Sequence, residues 1–399
     1  MLLHRPRYGG EMMEGFVFPN ELHVTWSVMI VLYPYITGLV AGAFIVSSLY
    51  HVFGFTQLRP IGRFSLVSAF VFLLFAPVPL LNHLGRPERA FNILITPNFS
   101  SAMSGFGFIF AIYSIIVFLE IWFDYRTDLI QRWEKAKGLS KKTYYLILLG
   151  STQRTERTDE IDHAVVKTLA GIGIPVALIL HGYVGFLFGS IKANPWWSTP
   201  LMFIIFICSA VVSGMAVLIF LYQFVTWLKG IEADQVALDT LGKFLWGFMI
   251  LAVSLELMEI LSVAYEQTDR WSVLRELIYG RLWYTYVILQ IGVCSLIPFF
   301  LLSLKNLLNL PRRFGNLILF FSSILLLCQV LLMRWNVVIG GQLLSKSYRG
   351  FTSYLPGLWE KEGLIVSALI LIIPFLLLRE FDKFFPFFSK KDQPVGEPG

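Results

Sequence analysis

Residues Leu80 to Asn98 read LLNHLGRPERAFNILITPN, and this stretch lies between two long apolar runs. The run before it is Ile61–Leu84 and the run after it is Ala102–Phe123. Each is long enough to cross the roughly 30 Å hydrocarbon core of a bilayer as a helix. Because no water reaches the backbone in that core, such runs have to be helical. The stretch between them carries His83 and Arg86, so we expect a candidate site at a membrane surface and not merely a turn.

The same pattern recurs along the whole chain. Hydrophobic residues make up 56% and charged residues 15% of it, whereas soluble domains have about half and a quarter. The predicted spans are Val24–Phe53, Ile61–Leu84, Ala102–Phe123, Ala164–Ser190, Pro200–Leu228, Leu241–Ala264, Leu282–Leu304, Phe314–Gly341 and Gly363–Arg379. The sequence therefore predicts an all-α polytopic membrane protein with about nine transmembrane helices.

The distribution of lysine and arginine predicts the orientation. With the N-terminus outside, the inner loops and the C-terminal tail hold most of the basic residues, as the positive-inside rule requires. Met1 to Glu21 is polar and lacks the apolar core of a cleavable signal peptide. We expect a multi-pass protein of the cytoplasmic (inner) membrane, with its N-terminus outside and its C-terminus inside.

Two small-residue motifs indicate the domain organisation. GLVAG (Gly38 to Gly42) in the first span and SAVVSG (Ser209 to Gly214) in the fifth let helices approach closely. Their parallel placement suggests two related four-helix bundles with one peripheral helix. The predicted units are an outer N-terminal segment 1–23, a first bundle 24–190 that contains an inner loop 124–163, a second bundle 191–341, and a last unit 342–399 with an outer loop, the last helix and an inner tail.

Polar and aromatic residues from several spans share the outer face in this topology. They are Asn20, His23, Trp26, His83, Arg86, His181 and Tyr183. A histidine can donate a hydrogen bond to a quinone oxygen and exchange a proton near neutral pH. The group could therefore hold a carbonyl-bearing ligand. The alternative for any single member is interfacial anchoring, or a histidine that is satisfied within the helix bundle.

Four ionisable residues lie inside the predicted spans. Burying a charge in the membrane costs free energy, so such residues are candidates for a functional role. They are Glu120, Glu256, Glu259 and Arg334. Glu256 and Glu259 are three residues apart, which places them on one face of a helix. One interpretation is a structural ion pair between Arg334 and either carboxylate. The other is a proton path, and the sequence leaves both open.

Other redox and metal sites are not expected in this chain. Cys208, Cys294 and Cys328 lie far apart within apolar runs, which gives no support for a disulfide framework, a zinc site or an iron–sulfur cluster. Haem would need paired axial ligands, and His181 is the one histidine clearly within a span. No glycine-rich loop follows a strand, so a nucleotide site is unsupported.

Four segments together resemble one known family. They are GLVAGA (Gly38 to Ala43), LNHLGRPERAFNILITPNFSSAMSGFGF (Leu81 to Phe108), PWWSTPLMFIIFICSAVVSGMA (Pro195 to Ala216) and RWNVVIGGQ (Arg334 to Gln342). The chain is similar to the NrfD/polysulfide reductase membrane subunits, and its length and ninth span resemble the larger members.

The resemblance implies a membrane subunit of an anaerobic respiratory oxidoreductase. Such a subunit exchanges electrons between menaquinone and a ferredoxin-like iron–sulfur subunit docked outside, and it carries no haem or cluster of its own. Multihaem cytochrome c, molybdopterin-type or heterodisulfide-reductase-like subunits are the further partners implied. By position, Asn20, His23 and Tyr183 match the family's quinone-binding residues.

These considerations define the candidate sites. The expected catalytic residues are His23, His83, Arg86, His181 and Tyr183. Residues expected to bind the quinone are Asn20, His23, Trp26, His83, Arg86 and Tyr183. The candidate proton path consists of Glu120, Glu256, Glu259 and Arg334.

Two other classes of function fit part of the pattern. A secondary transporter or ion channel would also use two bundles and midplane charges, but its repeats usually break helices at matching positions. Pro34 and Pro175 fall in spans one and four, which do not correspond. A purely structural anchor would leave the intramembrane carboxylates unexplained.

Overall fold

The computed structural model describes residues 7–8, 11–12, 24–308, 310–344 and 350–387. Asn20 and His23 lie outside the described residues. The strands Arg7–Tyr8 and Glu11–Met12 form a short antiparallel pair. Nearly all of the remaining described chain is helical, which confirms the all-α class.

The α-helices are numbered in chain order. They are α1 Val28–His51, α2 Arg59–Phe75, α3 Val78–His83, α4 Asn92–Ile95, α5 Ala102–Lys135, α6 Gly138–Ile147, α7 Glu156–Gly189, α8 Leu201–Lys229, α9 Gln235–Glu266, α10 Asp269–Gly280, α11 Ile297–Leu307, α12 Arg312–Trp335 and α13 Leu364–Phe384. Trp283–Leu296 and Asn336–Gly340 are π-helical, and Thr56–Leu58 and Pro87–Arg89 are 3₁₀ turns.

In the described part of the chain, nine helical segments are long and apolar enough to cross a membrane. They are Val28–His51, Thr56–His83, Ala102–Lys135, Glu156–Gly189, Leu201–Lys229, Gln235–Glu266, Trp283–Leu307, Arg312–Gly340 and Leu364–Lys383. This agrees with the polytopic fold predicted from the apolar runs. The end that carries the starts of α1 and α8 is called the outer face here, and its sidedness stays a prediction.

Helices α5 and α7 extend further than their apolar runs predict. Each has 34 residues, about 51 Å at 1.5 Å per residue, so each projects beyond the bilayer core at the inner face. Arg126 and Asp162 join the two extensions through a 2.6 Å hydrogen bond. The indole of Trp122 donates to the carbonyl of Ile147 at 2.9 Å. Helix α6 therefore folds back against the inner end of α5.

The two small-residue motifs pack against each other at the contact between α1 and α8. A Cβ atom added to Gly42 would lie 2.3 Å from the carbonyl oxygen of Ala210 and 2.7 Å from Cα of Gly214. A Cβ on Gly214 would lie 2.3 Å from Cα of Gly42. Only glycine at both positions permits this separation, so these residues set the distance between the two helices.

Helix contacts in each half of the chain close into a ring. In the first half, α1 contacts α2 and α7, and α5 contacts the same two helices. In the second half, α8 contacts α9 and α12, while α11 contacts both of these. Helix α13 packs on α2 and α1. The predicted domain boundaries, and the relation of the halves as repeats, stay predictions.

Candidate functional site

The outer ends of the two halves are joined around Trp26, just before α1. Its indole stacks on Trp197, with ring centroids 5.3 Å apart, and meets the edge of Phe188 at 5.7 Å. The amide of Gln342 binds both backbone groups of Trp26, accepting from its N–H at 2.8 Å and donating to its carbonyl at 3.0 Å. A Cβ on Gly341 would lie 2.1 Å from Trp197 Nε1. The segment ending in GGQ therefore fixes the start of the first span.

The π-helical turn at the end of α12 supplies further acceptors at this face. Trp196 Nε1 donates to the carbonyl of Asn336 at 2.9 Å, and Trp197 Nε1 donates to that of Val337 at 2.6 Å. Isolated π turns inside α-helices occur frequently at functional sites. Here the turn binds two consecutive indoles, so these tryptophans have a structural role.

His83 forms a hydrogen-bonded pair with a carboxylate that the sequence had not indicated. Its Nδ1 lies 2.9 Å from Oε2 of Glu362, which precedes α13. The hydroxyl of Ser27 donates to the same carboxylate oxygen. The side-chain amide of Asn82 donates to the carbonyl of Lys361 at 2.7 Å. The loop before the last helix is thus attached to the first and second spans at the outer face.

The hydrogen bonds to Glu362 also change its titration. Partial burial raises the pKa of the Glu362 carboxyl, but hydrogen bonds from Ser27 and His83 outweigh burial and leave the pKa below its ordinary value. The carboxylate form is therefore favoured at neutral pH. Only its position before the last apolar span could have marked this residue.

Arg86 and Tyr183 lie at the outer face but have different surroundings. Arg86 is exposed, and its side chain makes no hydrogen bond or ion pair with any described residue. The hydroxyl of Tyr183 donates to the carbonyl of Ala102 at 2.7 Å. A Cβ on Gly105 would lie 2.6 Å from that hydroxyl. The structure therefore leaves Arg86 free for a ligand or a partner and holds Tyr183 against α5.

His181 lies deeper than the other predicted outer residues. Its ring is buried, Nε2 is 2.9 Å from Nη2 of Arg334, and Phe206 stacks on it at 5.9 Å. Because an arginine can only donate, Nε2 must be the unprotonated acceptor. A Cβ added to Gly38 would lie 3.3 Å from the His181 ring. Gly38 is ten residues into α1, so the ring lies beside a point about 15 Å from the start of that helix. His181 thus belongs to a cluster between the two halves of the chain.

Arg334 does not form the ion pair that we considered for it. Its guanidinium donates to the hydroxyl of Ser209 at 2.6 Å and lies 3.8 Å from the Phe206 ring centroid. Throughout the described ranges, no carboxylate lies within ion-pair distance of it. The pairing with Glu256 or Glu259 was therefore wrong, because Arg334 faces α7 and α8. A cation–π contact and neutral acceptors surround the guanidinium instead, and its buried Nε has no hydrogen-bond partner among the described residues.

Glu256 is bound by amides from two neighbouring helical segments. Gln290 in the π-helical segment donates to one carboxylate oxygen, and Gln329 in α12 donates to the other at 3.4 Å. Asn336 donates to the amide oxygen of Gln290 at 2.6 Å. This network joins three helical segments of the second half. Its signal in the sequence was only the presence of polar residues within apolar spans.

A narrow cavity beside Glu256 opens towards α10. Glu256, Glu259, Arg270 and Tyr286 are among its lining residues, and its volume is about 30 Å³. A water needs about 10–15 Å³ by this measure, so there is room for about two. Tyr286 is buried, and its hydroxyl has no hydrogen-bond partner among the described residues. The cavity suits water and proton exchange, and it is too small for a quinone ring.

Glu120 lies in the first half, apart from the other carboxylates of the predicted path. It is fully buried, and neither oxygen has a hydrogen-bond partner in the described chain. At the inner face, one turn further along α5, Asp124 lies 3.3 Å from Arg63. Both ring nitrogens of His51 are buried there without a described partner. The four residues of the predicted proton path therefore occupy three separate places.

No set of three or more His, Cys, Asp or Glu residues within the described ranges could hold a metal ion. The expectation that the chain carries neither haem nor an iron–sulfur cluster stays a prediction.

The fold and outer face define a multi-pass helical membrane protein with a polar site at one surface. The family described as "Polysulphide reductase, NrfD" matches residues 18–345, and the chain belongs to it. A selenate reductase subunit of Mesobacillus selenatarsenatis is 30% identical over 389 residues, which cover 94% of this chain and 89% of that protein.

Two further relatives are more distant. A putative dimethyl sulfoxide reductase membrane subunit of Halobacterium salinarum is 25% identical over 75% of this chain and 65% of its own length. Protein NrfD of Escherichia coli is 26% identical over 35% of this chain and 40% of its own length. Two of the three relatives are named as subunits of a reductase.

Proposed function

We propose that this chain is the membrane subunit of a reductase complex and that it oxidises menaquinol at the outer face. The two electrons pass to an iron–sulfur subunit docked on that face. The observation that supports the proposal is the pair of His83 and Glu362, in which Nδ1 of the imidazole binds the carboxylate immediately before the LGRPER segment (Leu84 to Arg89). The names of the relatives favour electron flow towards a reductase.

The surrounding residues suit a quinol site at this surface. His83 supplies the hydrogen-bonding group, and Trp26 and Tyr183 supply aromatic surface at the starts and ends of neighbouring spans. Exposed Arg86 can bind the quinol or an acidic partner surface. Asn20 and His23 remain predicted members of this site. An outer position lets electrons leave the quinol without a redox group inside the membrane subunit.

A proton path through the second half is the finer part of the proposal. The Glu256 network and the small cavity at Glu259 place two carboxylates beside space for water. Buried carboxylates in helix bundles commonly take up and pass on protons. Glu120 would serve the inner face separately. Arg334 would act as a fixed charge between the two halves, because its contacts are to neutral groups.

Two measurements on the purified complex test the quinol site. Extraction should recover about one menaquinone per membrane subunit, and a fluorescent hydroxyquinoline N-oxide inhibitor should be quenched on binding. His83→Ala should abolish the reduction of the partner's iron–sulfur clusters by menadiol. Gly247→Ala is the control, because a Cβ there meets open space. Absence of both quinone and inhibitor binding, together with ion flux in liposomes, would favour the transporter hypothesis.

A further inference from the structure

The loop before α13 brings a carboxylate to the proposed quinol site from the far end of the chain. Glu362 is separated from His83 by 279 positions, yet its Oε2 lies 2.9 Å from His83 Nδ1. The loop is also held by the hydroxyl of Tyr354, which accepts from the backbone N–H of Val28 at 3.1 Å. The carboxylate therefore has a fixed place beside the imidazole, at the start of the first span.

The hydrogen bond determines which nitrogen of His83 faces a ligand. A carboxylate only accepts, so Nδ1 carries a proton, and in the neutral imidazole Nε2 then has a free lone pair. Nε2 makes no hydrogen bond within the described ranges. The same arrangement lets a carboxylate orient a histidine and stabilise its protonated form in other enzymes. Nε2 is thus prepared to accept a proton from a bound hydroxyl group.

Glu362 also has a route to outer water. Its side chain is 28% exposed, and that of His83 is 25% exposed. The other charged or titratable groups near the carboxylate are Lys361, Tyr354 and Glu360. The hydrogen bonds from Ser27 and His83 favour the ionised form, so a negative charge lies beside the imidazole at neutral pH.

Taking the proposed function as the basis, we propose that Glu362 is the positioning residue of His83 during quinol oxidation. One hydroxyl proton of the quinol moves to His83 Nε2, and the ionised Glu362 holds Nδ1–H and stabilises the imidazolium that forms. The partly exposed imidazolium then gives a proton to outer water. The second hydroxyl proton leaves through the same pair after it has reset, and the two electrons go to the partner's iron–sulfur clusters. The products are one quinone, two reduced one-electron centres and two protons at the outer face.

The test compares two substitutions at Glu362 with a matched control in the same loop. Glu362→Gln keeps the shape but removes the negative charge, and Glu362→Asp keeps the carboxylate on a shorter side chain. Glu360→Gln removes an exposed carboxylate two residues away. The complex is purified with each variant, and stopped-flow absorbance follows cluster reduction by menadiol over a range of pH. Quenching of the hydroxyquinoline N-oxide inhibitor measures binding separately.

We expect Glu362→Gln to slow cluster reduction by about 10²-fold, the usual size of one acid–base contribution. The difference from the wild type should shrink in acid, where Glu362 of the wild type is protonated as well. Inhibitor affinity should be unchanged. Glu362→Asp should recover part of the rate, and Glu360→Gln should match the wild type.

Two results would overturn this role. A wild-type rate and pH profile in Glu362→Gln would show that the charge of Glu362 does not assist proton transfer to His83. Loss of inhibitor binding in parallel with the rate, in both Glu362 variants, would show that the residue only maintains the loop. If the wild-type complex itself neither binds the inhibitor nor accepts electrons from menadiol, the proposed function fails instead.

Discussion

The contact between α1 and α8 gives the most quantitative prediction, for the substitution Gly42→Ala. The new Cβ would lie 2.3 Å from the carbonyl oxygen of Ala210 and 2.7 Å from Cα of Gly214. Ordinary contact begins at 3.4 Å, so the helices must separate by about 1 Å locally. Both neighbouring atoms are backbone, and no side-chain rotation can relieve the overlap.

Two effects of opposite sign set the size of the change. Overpacking of a close contact costs about 1–3 kcal/mol, while alanine in place of glycine favours the helix by about 1 kcal/mol. The steric effect should dominate because the overlap is with backbone. We expect the free energy of unfolding to fall by up to about 2 kcal/mol, which corresponds to a Tm lower by a few degrees at most for a chain of this size.

The assay uses the protein's own buried thiols. Cys208 on α8 and Cys294 are buried, whereas Cys328 is exposed. In a Cys328→Ser background, a thiol-reactive fluorescent dye therefore reports the exposure of the buried thiols as the detergent-purified protein unfolds on heating. Gly171→Ala in α7 is the matched control, because a Cβ there meets nothing within 4 Å. It should unfold at the wild-type temperature or slightly above. Equal unfolding temperatures for Gly42→Ala and Gly171→Ala would refute the proposed packing of these two helices.

Three further outcomes are expected from other parts of the outer face. Gln342→Ala removes two hydrogen bonds to the backbone of Trp26, at about 0.5–1.5 kcal/mol each, and should lower the Tm in the same thiol assay. Gly105→Ala should displace the Tyr183 hydroxyl and weaken inhibitor quenching without changing helix content by circular dichroism. Because folding lowers the pKa of Glu362 from its ordinary value of 4.5, its stabilisation is present above that pH and lost as pH falls through the folded-state value. The Tm advantage of the wild type over Glu362→Gln should therefore disappear in acid.

Helix ends were predicted less well than helix number, and the extensions of α5 and α7 show why. The length of an apolar run in the sequence indicates only the part of a helix that lies within the bilayer. Beyond it, Arg126 and Asp162 on two different helices stabilise the extensions by pairing with each other. A local pattern contains no information about such a partner, so the predicted spans ended early at the inner face.

The same distinction between local sequence pattern and tertiary contact applies to the residues of the candidate site. The sequence by itself determined that the chain is a bundle of apolar helices, and that His83 and the buried charges stand out, because burial in lipid makes every polar residue conspicuous. Tertiary structure decided the partners of these residues. Glu362 reaches His83 across 279 positions, and Arg334 turns to His181 and away from the carboxylates. Such pairings depend on helix rotation and loop placement, which are set by packing contacts between distant parts of the chain.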